Sequence, residues 1–392
     1  MKHLGPETPA ESGSKQSPET FLFVSFLIMG KHTAYQNLRN VVDTMNDIRV
    51  VWVPIEMDPP EWFARMAPLS RNHSLKYGMV ARRRVRAAER RHGPFAAAYF
   101  NHILPALMLG GFRRRVPSVD SLDVTPADLQ RHGQSYYTTP RSGDQSVVRN
   151  AKHRYGRRVY GQAAHLLPYS EFTRTSLIRD YGIERDSTSV LPPGVDLVRW
   201  SRKRPHDVSQ RPFNVLFVGN DVRRKGGDLV MEVARHEEFA EVEFHLVTGQ
   251  QVVPPSGNVK VHTGVQPNSE EMILMYEQAD VFVLPTRGDF GPTNAISEAL
   301  AMSLPVIATG IGGIDEVVQD GTNGFIIQGD DPEGLALRLI RLRDDIELRR
   351  SMAAASRRIA GEKLDARKNA MRVVEFMKSA ARQAEMNVKH KT

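Results

Sequence analysis

The second half of the chain alternates apolar segments with segments of helical periodicity, and this alternation limits the possible folds more than any other feature. Six apolar segments are predicted as strands, at 214–219, 241–248, 258–262, 280–284, 305–308 and 324–327. Helices are predicted at about 226–236, 269–279, 294–303 and 312–319, and a helical region closes the chain at 332–362 and 365–385. Strands and helices alternating at this spacing form a doubly wound parallel sheet.

The first half has a similar α/β pattern. Strands are predicted at 21–29, 49–55, 94–100 and 117–122, with a short one at 190–191; the helices include 76–92, 147–161 and 170–181. The segment 21–29, FLFVSFLIM, is apolar at almost every position. A strand buried on both faces, as in a parallel sheet, has this composition.

The length of 392 residues favours two domains, because single cores rarely grow beyond ~250–300 residues. Residues 1–20 are rich in Pro, Ser, Glu and Lys and are predicted to be a disordered tail. The first domain is placed at 21–200 and the second at 210–362, because 197–212 has a linker composition. The helix at 365–385 is expected to cross back to the first domain.

Composition excludes several classes of function. The chain has no cysteine, so disulfides, thiolate metal sites and cysteine nucleophiles are excluded. Its longest apolar run is shorter than a membrane span, and the residues before it do not resemble a signal peptide, so a cytoplasmic protein is expected. The net charge of +8 suggests anionic partners, although it is equally consistent with a simple role in solubility.

Two arginine clusters carry part of this charge. The first comprises Arg82, Arg83, Arg84, Arg86, Arg90 and Arg91 on a predicted helix, and the second comprises Arg113, Arg114 and Arg115. A solvated helix face explains such a pattern, and so does peripheral contact with an anionic membrane through 82–91. No nucleic-acid-binding motif accompanies the charge, so nucleic acid is not an expected partner.

Residues 279–301 form the most informative stretch, a strand followed by a polar loop and a helix of small residues. Asp289 lies in the loop, and Asn294 and Glu298 share one face of the helix. Thr293 is a suitable N-cap, which leaves free backbone N–H groups at the carboxyl end of a strand. Open α/β sheets bind phosphorylated ligands at such positions, so we interpret this stretch as a nucleotide-sugar site.

A second loop carries three consecutive cations, Arg223, Arg224 and Lys225, directly after the strand at 214–219. These side chains can clamp a diphosphate. Neither a G-x-G-x-x-G nor a Walker A pattern is present, so dinucleotide binding and P-loop hydrolysis are not supported. In the first half, Gly30 lies in a strand-to-helix turn that is either ligand-facing or simply structural.

Several motifs of the second half together resemble the retaining GT-B glycosyltransferases of family four. Gly219 with Lys225-Gly226 matches the family's Val-Gly and Lys-Gly pair, and 279–286 matches its "AD-apolar-PS/T" strand. Residues 298–308 match "E-A-L/M-A-x-x-x-P-V-I-A", and 312–324 match "GG-x-x-E-x-V-x-D-G-x-N-G". The resemblance covers about 165–385 and implies two Rossmann-like domains that face each other across a cleft.

The resemblance also implies roles for individual residues. Lys225 and a neighbouring arginine would bind the diphosphate, Glu298 would hold the ribose, and Asp289 would position the donor sugar. The implied catalytic residues are Asp289, Glu298, Lys225 and Asp123; the implied donor-binding residues are Gly30, Arg223, Arg224, Lys225, Phe290, Gly291, Pro292, Thr293, Asn294 and Glu298. The donor would be a UDP- or GDP-sugar, with no metal and no other cofactor.

The chain departs from the family pattern at three places. Eight residues separate Asp289 from Glu298, where the family has two glutamates with seven residues between them. Asn220 stands where an arginine is common, so Arg223 or Arg224 is expected to substitute for it. Asp123 stands where the first domain of the family carries a histidine at a strand end.

The resulting prediction is a retaining, metal-independent glycosyltransferase that moves a sugar from a nucleotide donor to a hydroxyl acceptor. The acceptor would be a glycan, a lipid-linked molecule or a small molecule. The alternative is a non-catalytic GT-B protein that binds a sugar nucleotide or glycan, because the spacing around Asp289 is unusual.

Overall fold

The computed structural model describes residues 18–27, 31–56, 73–132, 146–203 and 212–390. The predicted disordered tail lies almost entirely outside these ranges, and so does Gly30.

The first sheet contains five parallel strands in the order β2-β1-β3-β4-β5. They are β1 (Thr20–Leu27), β2 (Arg49–Glu56), β3 (Ala97–Phe100), β4 (Ser118–Leu122) and β5 (His165–Pro168). Side chains of β1 are buried on both faces, as its uninterrupted apolar sequence predicts. Phe21 and Phe23 pack into one cluster, whereas Leu22, Val24 and Phe26 pack into another on the opposite face.

Seven helices accompany this sheet in the described part of the first half. They are α1 (Lys31–Val42), α2 (His73–His92), α3 (Ile103–Ala106), α4 (Gly110–Arg113), α5 (Pro126–His132), α6 (Ser146–Tyr160) and α7 (Glu171–Tyr181). In the ranges that the structure describes, no helix is long and apolar enough to cross a membrane.

The second sheet contains six parallel strands in the order β11-β10-β9-β6-β7-β8. They are β6 (Asn214–Val218), β7 (Glu243–Val247), β8 (Val259–His262), β9 (Val281–Leu284), β10 (Val306–Thr309) and β11 (Gly324–Ile327). One continuous cluster of buried apolar side chains encloses this sheet. The predicted pair of doubly wound parallel sheets is therefore confirmed.

The helices of the second half are short up to residue 301 and longer from residue 332 onwards. They are α8 (Val222–Lys225), α9 (Gly227–Val233), α10 (Glu270–Gln278), α11 (Asn294–Ala301), α12 (Pro332–Asp344), α13 (Ile346–Lys363) and α14 (Ala366–Lys389).

The chain passes between the two halves at two adjacent points. The backbone of Val195 donates to Leu364 O at 2.8 Å and accepts from Ala366 N at 3.0 Å. After this crossing, α14 packs Ala370, Val373 and Met377 against the first sheet, in the cluster that contains Phe21 and Phe23. The last helix therefore completes the core of the first half.

In the first half one strand prediction is wrong, and one strand was not predicted. The sequence predicts a strand at 190–191, but the fifth strand is β5, which pairs with β4 at the edge of the sheet. β5 has only four residues and ends in Pro168, so it has little apolar pattern, and an edge position tolerates proline. The segment at 190–191 precedes Pro192 and Pro193, which cannot donate to a ladder.

Two helix predictions also differ. The helix expected at 312–319 is one 3₁₀ turn, Ile314–Glu316, which begins after Gly312 and Gly313 in left-handed conformation. The helix expected at 332–362 is broken at Asp345. The carboxylate of Asp345 accepts from Leu348 N and caps α13, which starts a new helix at that point.

Candidate active site

The two cations Arg224 and Lys225 lie in α8, at the carboxyl end of β6. Asp221 caps this helix through a bond from Arg224 N to its carboxylate. Gly226 ends it with a φ of 80°, and a Cβ at this position would lie 2.2 Å from Pro285 O. Only glycine fits this close approach, so Gly226 brings α8 against the loop that follows β9.

Asp289 lies in that loop, and its carboxylate contacts both cations. Lys225 Nζ is 2.8 Å from Oδ1 and 2.7 Å from Oδ2, and Arg224 Nη1 is 3.0 Å from Oδ1. The hydroxyl of Thr286 donates to Oδ2 at 2.7 Å. All three charged side chains are largely buried. The structure therefore joins two sequence-predicted cations and one predicted carboxylate in a compact charge cluster.

Arg287 ties the Asp289 loop to the helices beside it. Its guanidinium pairs with Asp228 at 2.6 Å and with Asp330, and it donates to the carbonyl of Arg223. These contacts position the loop relative to α8. Arg223 itself has an exposed side chain, so Arg224 is the arginine of the predicted pair that reaches the charge cluster.

Glu298 lies on α11 and is buried, with 7% of its surface exposed. Tyr276 donates its hydroxyl to Glu298 Oε2 at 3.1 Å. Burial raises the pKa of Glu298 to about 8, although the bond from Tyr276 lowers it in part. A buried carboxylate needs partners, so the sequence predicts that Glu298 is not a core residue. The structure instead places it inside the core, mainly protonated at neutral pH.

The remaining predicted donor-loop residues surround the start of α11. Thr293 accepts from Ile296 N and caps the helix as predicted. Gly291 adopts a φ of 79°, Pro292 is buried, and Phe290 and Asn294 are half-buried. Gly312 packs on the backbone of Asp289 and Phe290, where a Cβ would approach within 2.6 Å. The glycine loop of the second sheet thus supports the loop that leads into α11.

A second polar cluster lies at the carboxyl ends of the first sheet. Asp123 follows β4 and pairs with Lys31 Nζ at 3.2 Å. Lys31 also lies 5.3 Å from the ring centroid of Tyr169, which follows β5. Burial opposes ionisation of Asp123, but the charge of Lys31 and nearby hydrogen bonds outweigh it and lower the pKa.

His102 is not among the site residues that the sequence predicts, yet its ring interacts electrostatically with Lys31 and Asp123 of this cluster. The histidine is half-buried, and its partial removal from water, with help from Lys31, lowers its pKa to about 3. Its Nδ1 accepts from Leu104 N at 3.1 Å, so the neutral ring carries its proton on Nε2. One signal could have found it: His102 comes two residues after a predicted strand, at the same sheet edge as Asp123.

The polar ends of the two sheets touch each other. A Cβ on Gly291 would lie 3.5 Å from Tyr169, and one on Gly313 would lie 2.7 Å from Ser170. Glu316 accepts from the backbone N–H groups of Glu171 and Phe172 at 2.8 and 3.0 Å. These contacts bring the Asp289 loop and the Asp123 cluster to opposite sides of one cleft.

The two arginine clusters of the sequence separate in the structure. Arg82, Arg83, Arg86, Arg90 and Arg91 are exposed on α2. Arg113 is instead buried in an ion pair with Asp120, so the second cluster supplies only Arg114 and Arg115 to the surface. Within the described residues, no group of three or more carboxylate, histidine or cysteine side chains is arranged to hold a metal.

Family models match most of the chain. Residues 48–199 match the model described as Glycosyltransferase Family 4, and residues 212–345 match the model described as Glycosyl transferases group 1. The chain belongs to the GT4-like glycosyltransferases. The resemblance inferred from the motifs of the second half is therefore confirmed, and it extends into the first half.

This GT4-like glycosyltransferase has named relatives of moderate identity. It is 27% identical over 215 residues to D-inositol 3-phosphate glycosyltransferase of Paenarthrobacter aurescens, covering 50% of this chain and 52% of the relative. It is 31% identical over 205 residues to the protein of the same name from Xylanimonas cellulosilytica, covering 46% and 49%. The match thus spans about half the length of these relatives.

Solved structures agree with the fold of the GT4-like chain. Sucrose-phosphate synthase of Thermosynechococcus elongatus superposes with a TM-score of 0.70 at 14% identity, over 92% of this chain and 98% of that one. Anabaena HepE in complex with UDP gives 0.64 at 17% identity, over 93% and 100%. Both likenesses show the GT-B arrangement of two parallel-sheet domains.

Proposed function

We propose that this chain transfers a sugar from a nucleotide-sugar donor to a hydroxyl acceptor. The observation that carries the proposal is the pair Arg224 and Lys225, two largely buried cations beside the loop that leads into α11. The chain belongs to a glycosyltransferase family, and cations at a strand end can stabilise the charge that develops on a leaving diphosphate.

The donor would lie between the second sheet and the Asp123 cluster. Arg224 and Lys225 would bind the diphosphate, and the N–H groups at the start of α11 would add to the positive potential. Glu298 would accept hydrogen bonds from the ribose diol. The structures of HepE contain UDP or UDP-glucose, which supports UDP as the first nucleotide to test, with GDP as the second.

The reaction would retain the anomeric configuration without a metal. The bond between the anomeric carbon and the diphosphate oxygen would break, and the acceptor oxygen would bond to the same face of the sugar. The acceptor proton would pass to the leaving phosphate oxygen. Asp123 and the neutral His102, at the opposite side of the cleft, would orient the acceptor hydroxyl and the sugar by hydrogen bonding.

Two substitutions test the donor site. Lys225→Ala removes one of the two cations, and Glu298→Ala removes the ribose acceptor. Each is expected to lower kcat/KM by about 10²-fold or more, the cost typical of losing one group that stabilises the transition state. Thermal melting checks that the fold survives. Near-full transfer by both variants would contradict the proposed site.

A non-catalytic sugar-nucleotide or glycan-binding protein is the competing function, because Asp289 is already bound to the cations that a donor would need. Calorimetric titration with UDP and GDP, together with assays of donor hydrolysis and transfer, separates the two functions. Nucleotide binding with no turnover across a panel of acceptors would favour the binding protein.

We also propose peripheral contact with an anionic membrane through residues 82–91. The exposed arginines on α2 support it. A cavity of about 370 Å³ beside them is lined by Arg82, Arg86, Arg114 and Arg115, the last of which pairs with Glu89 in the same cavity. Each exposed arginine near an anionic membrane surface contributes ~1 kcal/mol to the free energy of binding.

Co-sedimentation with phosphatidylserine vesicles at low salt tests the membrane proposal. The triple variant Arg82→Ala/Arg86→Ala/Arg114→Ala should bind much less than the wild type. A matched variant, Arg350→Ala/Arg358→Ala/Arg382→Ala, removes three exposed arginines elsewhere and should bind normally. An equal loss of vesicle binding in both variants would show that binding depends only on the net charge of the protein.

A further inference from the structure

The carboxylate of Asp289 has the bonding pattern of a bound phosphate. Both of its oxygens accept from Lys225 Nζ, and one also accepts from Arg224 Nη1 at 3.0 Å. Thr286 adds a hydroxyl donor at 2.7 Å. The two cations that a diphosphate would need are therefore already paired with an anion of the chain itself.

This pairing is protected from solvent. The side chains of Arg224, Lys225 and Asp289 are 11%, 15% and 11% exposed. Water screens such contacts less than it screens surface ion pairs, and separating the partners leaves buried charges that need a new counter-ion. A ligand that draws the cations away from Asp289 must supply that negative charge.

We infer that Asp289 is a specificity-determining residue, whose carboxylate competes with the donor diphosphate for Arg224 and Lys225. This inference rests on the proposed function and concerns the same site. A nucleoside diphosphate carries enough negative charge to replace the carboxylate, whereas a neutral nucleoside does not. The carboxylate thereby restricts the cations to ligands that carry phosphates.

The position of Asp289 in the loop explains how the replacement could occur. The residue precedes Phe290 and Gly291, which lead to the cap of α11, and Gly291 has a left-handed backbone. A small rotation of this segment would release the carboxylate from the cations. The released carboxylate would then lie beside the bound phosphates, where the donor sugar is attached.

Binding of UDP, GDP and uridine to wild type and Asp289→Asn tests the inference. The amide keeps the size of the side chain but removes its charge, so the dissociation constant of the bound nucleoside diphosphate should fall at least ~10-fold. The constant for uridine, measured by competition, should change less than twofold. Asp186→Asn, an exposed carboxylate elsewhere, makes the same change in net charge and should leave both constants unaltered.

A second variant tests the competition without removing the charge. Thr286→Val deletes the hydroxyl that holds Asp289, and it should tighten nucleoside diphosphate binding by about two- to fivefold. This result would support the inference even if Asp289→Asn failed to fold.

The outcomes separate the inference from the proposed function. If the wild type binds a nucleoside diphosphate and both variants bind it equally or more weakly, the inference is wrong and the proposed function stands. If neither the wild type nor the variants bind UDP or GDP, both are wrong.

Discussion

The ionisable residues of the cleft differ in protonation state, and the difference comes mainly from how far each is buried and which partner it contacts. Glu298 is held in the protonated form by burial, whereas Asp123 keeps its charge because Lys31 lies 3.2 Å away. His102 is neutral because it is partly removed from water and lies near the same lysine. Asp123 and Glu298, on opposite sides of the cleft, therefore differ in protonation, a difference that sequence cannot reveal.

The raised pKa of Glu298 predicts that donor binding depends on pH. Hydrogen bonds from a ribose diol favour the carboxylate, so binding below pH 8 must release a proton. The affinity for UDP or GDP should therefore rise with pH by up to about tenfold per unit and level off near pH 8. Calorimetry at pH 6, 7, 8 and 9 measures this trend. In Glu298→Gln the trend should disappear, and a flat profile in the wild type would contradict the assigned role.

Protein stability should show the opposite dependence on pH. The pKa of Glu298 is higher in the folded protein than in the unfolded chain, so its contribution is fully present below about pH 4.5 and is lost as pH rises through about 8. Glu298→Gln cannot ionise. Its melting temperature relative to the wild type should thus be higher at pH 9 than at pH 5; an equal difference at both values would indicate that Glu298 is not buried in solution.

At the scale of elements, short loops and helix ends bring the site together. Gly226 brings α8 against the loop after β9, and Gly312 supports the backbone of Asp289 and Phe290. The first turn of α7 offers N–H groups to Glu316 from the other half of the molecule. A carboxylate at a helix N-terminus is favourable, so this contact stabilises the arrangement in which the two halves touch, which we call the closed state.

Loss of the Glu316 contact should weaken transfer more than it weakens nucleotide binding. Glu316→Ala removes an interaction worth ~1–2 kcal/mol, so the closed state should be less populated and kcat should fall about 5- to 30-fold. The affinity for UDP or GDP should change less than twofold, because the cations lie elsewhere.

Small-angle scattering should also show a larger radius of gyration for Glu316→Ala. Glu347→Ala is the control, because it removes an exposed glutamate from the first turn of another helix, α13. Unchanged kcat in Glu316→Ala would show that the contact has no part in closing the cleft.

At the scale of the whole molecule, the end of the chain stabilises its beginning. β1 starts at Thr20 and α14 ends at Lys389, yet α14 covers one face of the first sheet. The buried face of α14 therefore finds its partners only once the chain has crossed back beside Val195. The first half depends on residues from the other end of the sequence.

Two methionines of α14 test this dependence. Met377 is fully buried against the first sheet, whereas Met371 is 46% exposed. Met377→Ala should lower the free energy of unfolding by about 2–5 kcal/mol, as expected for a core cavity. Met371→Ala should stay within about 0.5 kcal/mol of the wild type. Urea denaturation measures both, and equal effects would show that α14 is not packed as described.

The sequence by itself determined the two parallel sheets, because apolar periodicity is a local property that each segment carries independently of its neighbours. It also located the strand-end loops with Asp289, Lys225 and Glu298. Tertiary structure decided how these residues are paired. Asp289 meets Lys225 across 64 positions, Glu298 meets Tyr276 across 22, and Lys31 meets Asp123 although β3 lies between the two strands that precede them. Such pairings, and the protonation that burial imposes, depend on how strand ends are brought together in space, which no single segment encodes.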